Sequence, residues 1–443
     1  MNERDSEILS QSLSQHDYIE TMNIDSADLI ILNTCSIRAK AEQKVMSLLG
    51  YLRKNKQRNP DLKICVAGCV AQQQGESLIE RMPHVNLVIG TQHIYNIANL
   101  LKESEKISVV KTTLDKNYVI PSFIPDVQPV DSVVTDMVTQ ENEFSRFVTI
   151  MQGCNNYCTY CVVPYTRGRE VSRKVKDIVE EVKVLVHSGV QEITLLGQNV
   201  NSYGMTNAVT DDGSPFAFNQ LLREVSSISG LRRLRFTTSN PKDLSEDLMK
   251  CFVDLDNLCP QFHLPVQSGS NQILQRMNRK YTREKYLELV ESLRRYCPEI
   301  ALTTDIIVGF PGESTKDFME TMNLLETVRF HGSFSFKYSD RPGTASVKLN
   351  NKVSEEDKSE RLAFFQKRQK EISLERNLEF LDKSLEVLVE SCGEDSYKCR
   401  TKTNHVVHVD STLPLTPGQL VNVKINHAGH HSLKGSALVG NRN

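Results

Sequence analysis

The sequence predicts an α/β protein in three parts: an N-terminal parallel α/β domain, a central partial (β/α)6 barrel and a small C-terminal β-barrel. Three observations predict it. Short apolar runs alternate with helical segments over residues 1–103, the pattern of a parallel sheet covered by helices. A βα rhythm then repeats six times over residues 146–382, too few units for a closed eightfold barrel. Residues 383–443 change to short strands separated by turn residues, as in a small β-barrel. Residues 104–145 read as a linker, with Pro121, Pro125 and Pro129 spaced through a polar stretch.

Composition narrows the class. The chain has 443 residues, 39% hydrophobic and 24% charged, ordinary values for a soluble globular protein. A net charge of -2 excludes a polycation, so any nucleic-acid contact comes from local basic patches. Met1 to Glu7 carries no apolar signal segment. No apolar run approaches the roughly 20 residues of a spanning helix. The expectation is a cytoplasmic protein with no membrane partner. Eleven cysteines in such a chain point to metal or redox chemistry rather than disulfides. Cys251, Cys259, Cys297, Cys392 and Cys399 have no ligand spacing and read as buried or incidental thiols.

In the N-terminal domain the apolar runs are Leu29–Leu32, Ile64–Ala67 and Leu87–Ile89, with helical composition over Ala39–Leu52 and Gln72–Met82. Ligands of parallel sheets gather beyond the carboxyl ends of the strands. Cys35 and Cys69 fall there, after neighbouring runs, and suit two ligands of one site. Cys65 reads as a buried strand thiol, since four extended residues hold it roughly 13 Å from Cys69.

In the central domain the runs are Phe147–Met151, Ile193–Leu196, Leu234–Phe236, Phe262–Pro265, Ile306–Val308 and Phe334–Phe336. Each leads into a polar or glycine-rich loop, and all such ends face one mouth. The first loop is Gly153-Cys154-Asn155-Asn156-Tyr157-Cys158-Thr159-Tyr160-Cys161. A C-x3-C-x2-C run is a claw of soft thiolates, suited to an iron–sulfur cluster or zinc. Zinc wants a fourth Cys or His close by, and none follows before His187. A [4Fe-4S] cube on three thiolates leaves one iron open to a small molecule. Gln198, Asn199, His263, Gln267 and Asp305 also lie at the mouth, as partners of a cofactor or substrate or as strand caps. No side chain takes an acid–base role. Arg167, Arg169, Arg173 and Lys174 either grip substrate phosphates or form a solvated helix start with Glu170 and Asp177.

Val353 to about Phe380 reads as a charged helix. Leu385–Val389, Val406–Val409, Leu420–Ile425 and Ala437–Val439 are the expected strands of the last domain. Six Lys/Arg stand against five Asp/Glu over residues 384–443, a weak electrostatic footprint. Five histidines there add charge at lower pH.

The claw and the following Val162-Val163-Pro164-Tyr165-Thr166-Arg167-Gly168-Arg169 resemble the signature of the radical S-adenosylmethionine (SAM) methylthiotransferases. The resemblance covers nearly the whole chain. Asn33-Thr34-Cys35-Ser36-Ile37-Arg38 and Gly68-Cys69-Val70-Ala71-Gln72 look like two of the three cysteine motifs that hold an auxiliary cluster in that family. The family begins with a strand and Gly-Cys-x-Met-Asn-x-x-Asp-Ser, whereas this chain begins Met1-Asn2-Glu3-Arg4-Asp5-Ser6, just after that cysteine. Either the chain starts at an internal methionine of a longer reading frame, or the truncation is real and the auxiliary cluster is crippled. A missing first strand also predicts an exposed sheet edge. Asn240 stands where the family often has His.

What the resemblance implies is specific. The central domain is a radical SAM barrel, and the C-terminal one is an RNA-binding TRAM-like module. Two [4Fe-4S] clusters are implied, on Cys154, Cys158 and Cys161 and, with its third ligand missing, on Cys35 and Cys69. SAM binds the open iron, with Tyr160 against its adenine and Gln198, Asn199, His263, Gln267 and Asp305 around it or the substrate. The cysteine motifs look most like the MiaB-type branch, which methylthiolates C2 of N6-isopentenyladenosine 37 in the tRNA anticodon loop. Other branches act on threonylcarbamoyl-adenosine in tRNA or on a ribosomal protein. A truncated, non-catalytic iron–sulfur RNA-binding protein is the competing expectation, and an enzyme that cleaves SAM without inserting sulfur lies between. An electron donor such as a flavodoxin-like protein and a monomeric state complete the expectations.

Overall fold

The computed structural model describes residues 1–35, 39–123, 144–394 and 396–438. Ser36-Ile37-Arg38, Pro125, Pro129 and Val439 lie outside the described residues. The chain opens with α1 (Asn2–Ser14), then β1 (Leu29–Thr34), α2 (Ala39–Arg58), β2 (Lys63–Gly68), α3 (Cys69–Gln74), α4 (Glu76–Arg81), β3 (Leu87–Ile89), α5 (Ile97–Glu103) and β4 (Val109–Lys111). The four strands form a parallel sheet in the order β1-β2-β3-β4. Ile8, Leu9 and Leu13 of α1 and Ile97, Leu100 and Leu101 of α5 pack on one face with Cys65, Ala67, Leu87 and Ile89. Leu49, Leu52 and Leu78 pack on the other with Ile64, Val66 and Val88. Neighbouring residues of buried strands point to opposite faces, so each face needs its own helical cover. β4 comes from the stretch read as linker, and β1 lies at one edge of the sheet.

The central part begins with β5 (Ser145–Thr149), β6 (Met151–Gln152), α6 (Val163–Thr166), β7 (Val171–Ser172) and α7 (Val175–His187). It continues with β8 (Glu192–Leu196), α8 (Phe218–Ser226), β9 (Arg233–Thr237), α9 (Glu246–Asp254) and β10 (Gln261–His263). α10 (Asn271–Arg276), α11 (Arg283–Tyr296), β11 (Ala301–Val308), α12 (Thr315–Val328) and β12 (Gly332–Lys337) complete it. Two parallel triplets, β5-β8-β9 and β10-β11-β12, make the six-stranded wall. A parallel bridge from Leu234 to Leu258 joins them. Helix α7 shows why the flanking helices form: Ile178, Glu181, Val182 and Leu185 fall on one buried stripe. One apolar cluster, from Val148 to Ile372, runs between wall and helices.

After α13 (Glu355–Leu378) come β13 (Ser384–Cys392), β14 (Tyr397–Thr401), β15 (Val406–Asp410), β16 (Leu420–Ala428) and β17 (Ser432–Ala437). They close a barrel in the order β13-β14-β15-β17-β16. The last strand lies earlier than the expected 437–439, because Gly435 is a strand residue paired with Val409 and Ile425 rather than a turn. Arg235 anchors the barrel to the central wall. It pairs with Glu192 at 2.9 Å and donates to the carbonyls of Thr401 and Lys402, each at 2.8 Å.

The same junction holds two uncharged histidines. Burial, with His405, Arg376 and Arg294 nearby, lowers His331 to about 3. Burial lowers His405 to about 4, and the two rings pack edge to face at 5.6 Å. The unfolded chain takes up these protons below about 6.5, while the folded chain takes them up only near 3 to 4. Acid therefore favours the unfolded state. Stability at this junction is expected to be full above about pH 6.5 and to fall as pH drops toward 4. Thermal melts across that window check it: His331→Phe with His405→Phe should flatten the pH dependence relative to wild type.

Candidate functional site

The cysteine loop leaves the end of β6 and is pinned on several sides. The Gly153 amide donates to Gln198 Oε1 at 2.5 Å, and the Cys154 amide to the Gly168 carbonyl at 3.3 Å. Thr159 donates from its amide to the Met277 carbonyl at 3.0 Å and from its hydroxyl to the Arg276 carbonyl at 2.9 Å. Asn278 Nδ2 holds the Tyr157 carbonyl at 2.9 Å, where Tyr157 has φ 46. The loop is thus fixed by β8's loop, by the segment after the claw and by the end of α10.

Gly153 is required by geometry. Its φ is +80, and an added Cβ would lie 2.1 Å from the Arg169 carbonyl oxygen. A left-handed non-glycine residue costs roughly 1–2 kcal/mol, a factor of about 5–30 in an equilibrium that needs the loop intact. Gly153→Ala is expected to lower the iron retained per chain by that order, read by iron assay after anaerobic reconstitution.

The thiols form one electrostatic group. Burial pushes the Cys161 thiol up to about 12, and the Cys158 and Cys154 thiols beside it add to the shift. Burial also raises Cys154, with Cys158 adding to it, while bonds from Asn156 oppose the rise. Asn156 Nδ2 donates to Cys154 Sγ at 3.3 Å and Arg279 Nη1 to Cys158 Sγ at 3.5 Å. Three clustered thiols, Cys158 buried and Cys154 and Cys161 half-buried, two of them with side-chain N–H donors, fit an iron–sulfur cluster, which binds thiolates and is tuned by hydrogen bonds to sulfur. Among the described residues, no three His, Cys, Asp or Glu side chains gather closely enough to hold a single metal ion, as the zinc alternative needs. A cube carries its thiolates on separate irons.

Cys35 and Cys69 meet beyond the sheet. The register Thr34↔Gly68 places each one residue past a paired position on adjacent strands. Thr34 Oγ1 accepts from the Val70 amide at 3.1 Å, fixing the start of α3. Burial raises the Cys69 thiol; Arg167 opposes the shift and Cys35 adds to it. Cys65 lies wholly buried in β2 among apolar side chains.

The expected phosphate grip does not form. Arg167 is buried against Asp5, and its charge acts on the Cys69 thiol. Arg173 is buried against Glu181 at 2.6 Å, not paired with Asp177. Lys174 donates to the Thr210 carbonyl at 3.0 Å. Only Arg169 of the four is exposed. Charges adjacent in sequence are split because β7 alternates its faces and α6 turns Arg167 toward α3.

The other candidates divide into groups. Gln198 supports the claw. His263, Asp305 and Gln267 come together: His263 Nε2 lies 3.5 Å from Asp305 Oδ1, and the Gln267 amide donates to the Asp305 carbonyl at 2.9 Å. His263 Nδ1 lies 3.0 Å from Thr303 Oγ1, and the exposed Phe334 ring stands edge-on to the imidazole at 6.0 Å. Tyr160 packs edge to face on Phe310 at 6.4 Å. Asn199 is separate: its amide donates to Ser202 Oγ at 2.9 Å and Asp243 Oδ2 at 2.7 Å. Arg279 was invisible to motif reading. It lies 121 positions from Cys158 in a segment without ligand spacing, and its only local signal is the run Asn278-Arg279-Lys280-Tyr281.

Comparisons with known proteins bear on this arrangement. A model described as the radical SAM superfamily matches residues 148–325, and one described as uncharacterized protein family UPF0004 matches residues 1–90. A tRNA-2-methylthio-N(6)-dimethylallyladenosine synthase from Desulfotalea psychrophila is 62% identical over 439 residues, covering 99% of this chain and 96% of its own. A protein of the same name from Syntrophus aciditrophicus is 46% identical over 99% of this chain and 92% of its own. Among solved structures, a radical SAM methyltransferase from Kitasatospora setae, with cobalamin and a [4Fe-4S] cluster bound, matches with TM-score 0.54 at 15% identity. That match covers 77% of this chain and 73% of the other, and speaks to the fold.

Proposed function

This chain belongs to the radical SAM methylthiotransferase family, of the tRNA-2-methylthio-N(6)-dimethylallyladenosine synthase type, and from that premise we propose that it adds a methylthio group to C2 of N6-isopentenyladenosine 37 in tRNA. It is a radical SAM transferase that uses an iron–sulfur cluster and SAM. Cys154, Cys158 and Cys161 hold the cluster that leaves an iron open to SAM, and Cys35 and Cys69 contribute to a second, sulfur-supplying one. A cluster held by Cys154, Cys158 and Cys161 would supply the single electron needed to cleave SAM to methionine and a 5'-deoxyadenosyl radical, the kind of species able to take the unactivated hydrogen at C2.

The chain's own residues position the parts. Gln198 and Asn278 hold the claw loop, and Asn156 and Arg279 aim N–H groups at its sulfurs. Tyr160 lies against the adenine of SAM. His263, Gln267 and Asp305 bond SAM or the substrate base, and Asn199 shapes the loop that follows β8. The C-terminal barrel binds the tRNA in the manner of a TRAM module. The target base comes from a single-stranded loop, where unstacking is cheap. A flavodoxin-like protein donates the electron, and the enzyme works as a cytoplasmic monomer. Among the described residues no helix is long and apolar enough to cross a membrane.

The observation that carries this function is Arg167. It lies in the segment just after the claw, where α6 packs against α3, the helix that Cys69 opens, and its charge acts on the Cys69 thiol, so both thiol groups belong to one neighbourhood, as a reaction needing both a radical and a sulfur requires. The test incubates reconstituted protein with SAM, a reductant, sulfide and tRNA bearing N6-isopentenyladenosine, followed by nucleoside mass spectrometry. Methylthio-N6-isopentenyladenosine is expected. 5'-Deoxyadenosine without methylthiolated tRNA would point to SAM cleavage alone, and neither product would point to a binding protein.

A further inference from the structure

We infer that Arg279 is a positioning residue for the claw: its guanidinium, donating to Cys158 Sγ, sets how easily the cluster there is reduced. The assignment rests on the cluster being held by Cys154, Cys158 and Cys161.

Each nitrogen of the guanidinium has a partner. Nε donates to the Tyr281 hydroxyl at 2.7 Å, Nη2 to the Pro265 carbonyl at 2.8 Å and Nη1 to Cys158 Sγ at 3.5 Å. Its carbon also stands 5.0 Å from the Tyr281 ring centre. The planar fork and these three anchors fix the direction of the N–H that meets the sulfur.

The counter-charge of Arg279 differs from that of the buried arginines near α1. The buried Arg4, Arg167 and Arg173 each pair with a carboxylate. Arg279 forms no salt bridge among the described residues, and its two oxygen partners are neutral. The nearest anion available to it is the thiolate of Cys158. One-electron reduction of the cluster adds a negative charge next to this cation. The cation stabilises the reduced form more than the oxidised one, and a directed N–H on sulfur acts in the same sense. Removing it makes the cluster harder to reduce.

The test uses full-length protein in a Cys35→Ala/Cys69→Ala background, so that only the claw binds iron, with redox titrations followed by electron paramagnetic resonance. At the potential that half-reduces the parent, Arg279→Gln is expected to lower the ratio of reduced to oxidised cluster about tenfold, or ~59 mV for a one-electron couple. Arg279→Lys keeps the charge without the fork and should fall between. Tyr281→Phe removes one anchor but no charge and should leave the potential in place, which separates tuning from mere packing. An Arg279→Gln protein with parental iron content and parental potential overturns the proposal. Should Arg279→Gln fail to hold iron, protein with unchanged Arg279 and 15N-labelled arginine decides: a weak nitrogen coupling to the reduced cluster is expected, and its absence overturns the proposal. If the parent's iron is unaffected by Cys158→Ala, the cluster assignment itself fails and takes this proposal with it.

Discussion

Replacing Cys154, Cys158 and Cys161 together by Ala is expected to abolish tRNA methylthiolation and 5'-deoxyadenosine formation. The reason is chemical: no side chain in the mouth can remove hydrogen from an aromatic C2 position by acid–base means, so no residual pathway exists. Iron and sulfide counts separate the two thiol groups. About eight irons in the wild type and about four in the triple variant would mean two cubes, with Cys35 and Cys69 completing theirs through another ligand. About four and near none would mean that the claw alone carries a cluster, and that this chain cleaves SAM without inserting sulfur. Iron unchanged by the triple substitution would refute the claw as a cluster site.

The parts of this site that were legible in the sequence are those set by short-range spacing. Cys154, Cys158 and Cys161 sit on one loop, so their spacing is their geometry. Cys35 and Cys69 were legible one level up, because parallel strands deliver the residues after them to one end of the sheet. The βα units were legible because each strand is apolar and each exit loop polar. Three elements were not. Helix α1 is mostly polar, and its buried face includes Arg4 and Asp5, which read as solvent residues until Glu181 and Arg167 arrive from elsewhere in the chain. Strand β14 carries Lys398 and Arg400 between Tyr397 and Thr401, and its only buried apolar residue is Cys399. β4 is three residues long, too short to announce itself. Long-range electrostatics was the common blind spot: the Arg167-to-Lys174 run looks like one basic patch in sequence, yet two of its members are interior counter-ions.

Glu181→Ala is expected to destabilise the protein by about 3–5 kcal/mol, the usual cost of removing one partner from a buried ion pair. Glu181 is wholly buried on α7 and accepts from Arg173 at 2.6 Å and from Arg4 of α1. Without it, two guanidinium groups share a buried space with no anion between them. Arg4 keeps Glu7 at 2.8 Å and Arg173 keeps the Thr149 carbonyl at 2.7 Å, which compensates only in part. Denaturant melts measure the loss. Replacing Arg4, Arg173 and Glu181 together by Met, Met and Leu should recover most of it, since apolar side chains of similar volume pack about as well as a buried triad. The function should divide differently. Arg4 adjoins Asp5, whose partner Arg167 lies just after α6, the helix that packs against α3 and Cys69, so this triad seats α1 against the segment that joins Cys69 to the claw. In Glu181→Ala, methylthiolation is expected to fall more than SAM cleavage, because cleavage needs only the claw while sulfur transfer needs both sets of thiols in register. Equal losses of the two activities in protein shown to be folded would mean that α1 contributes stability alone.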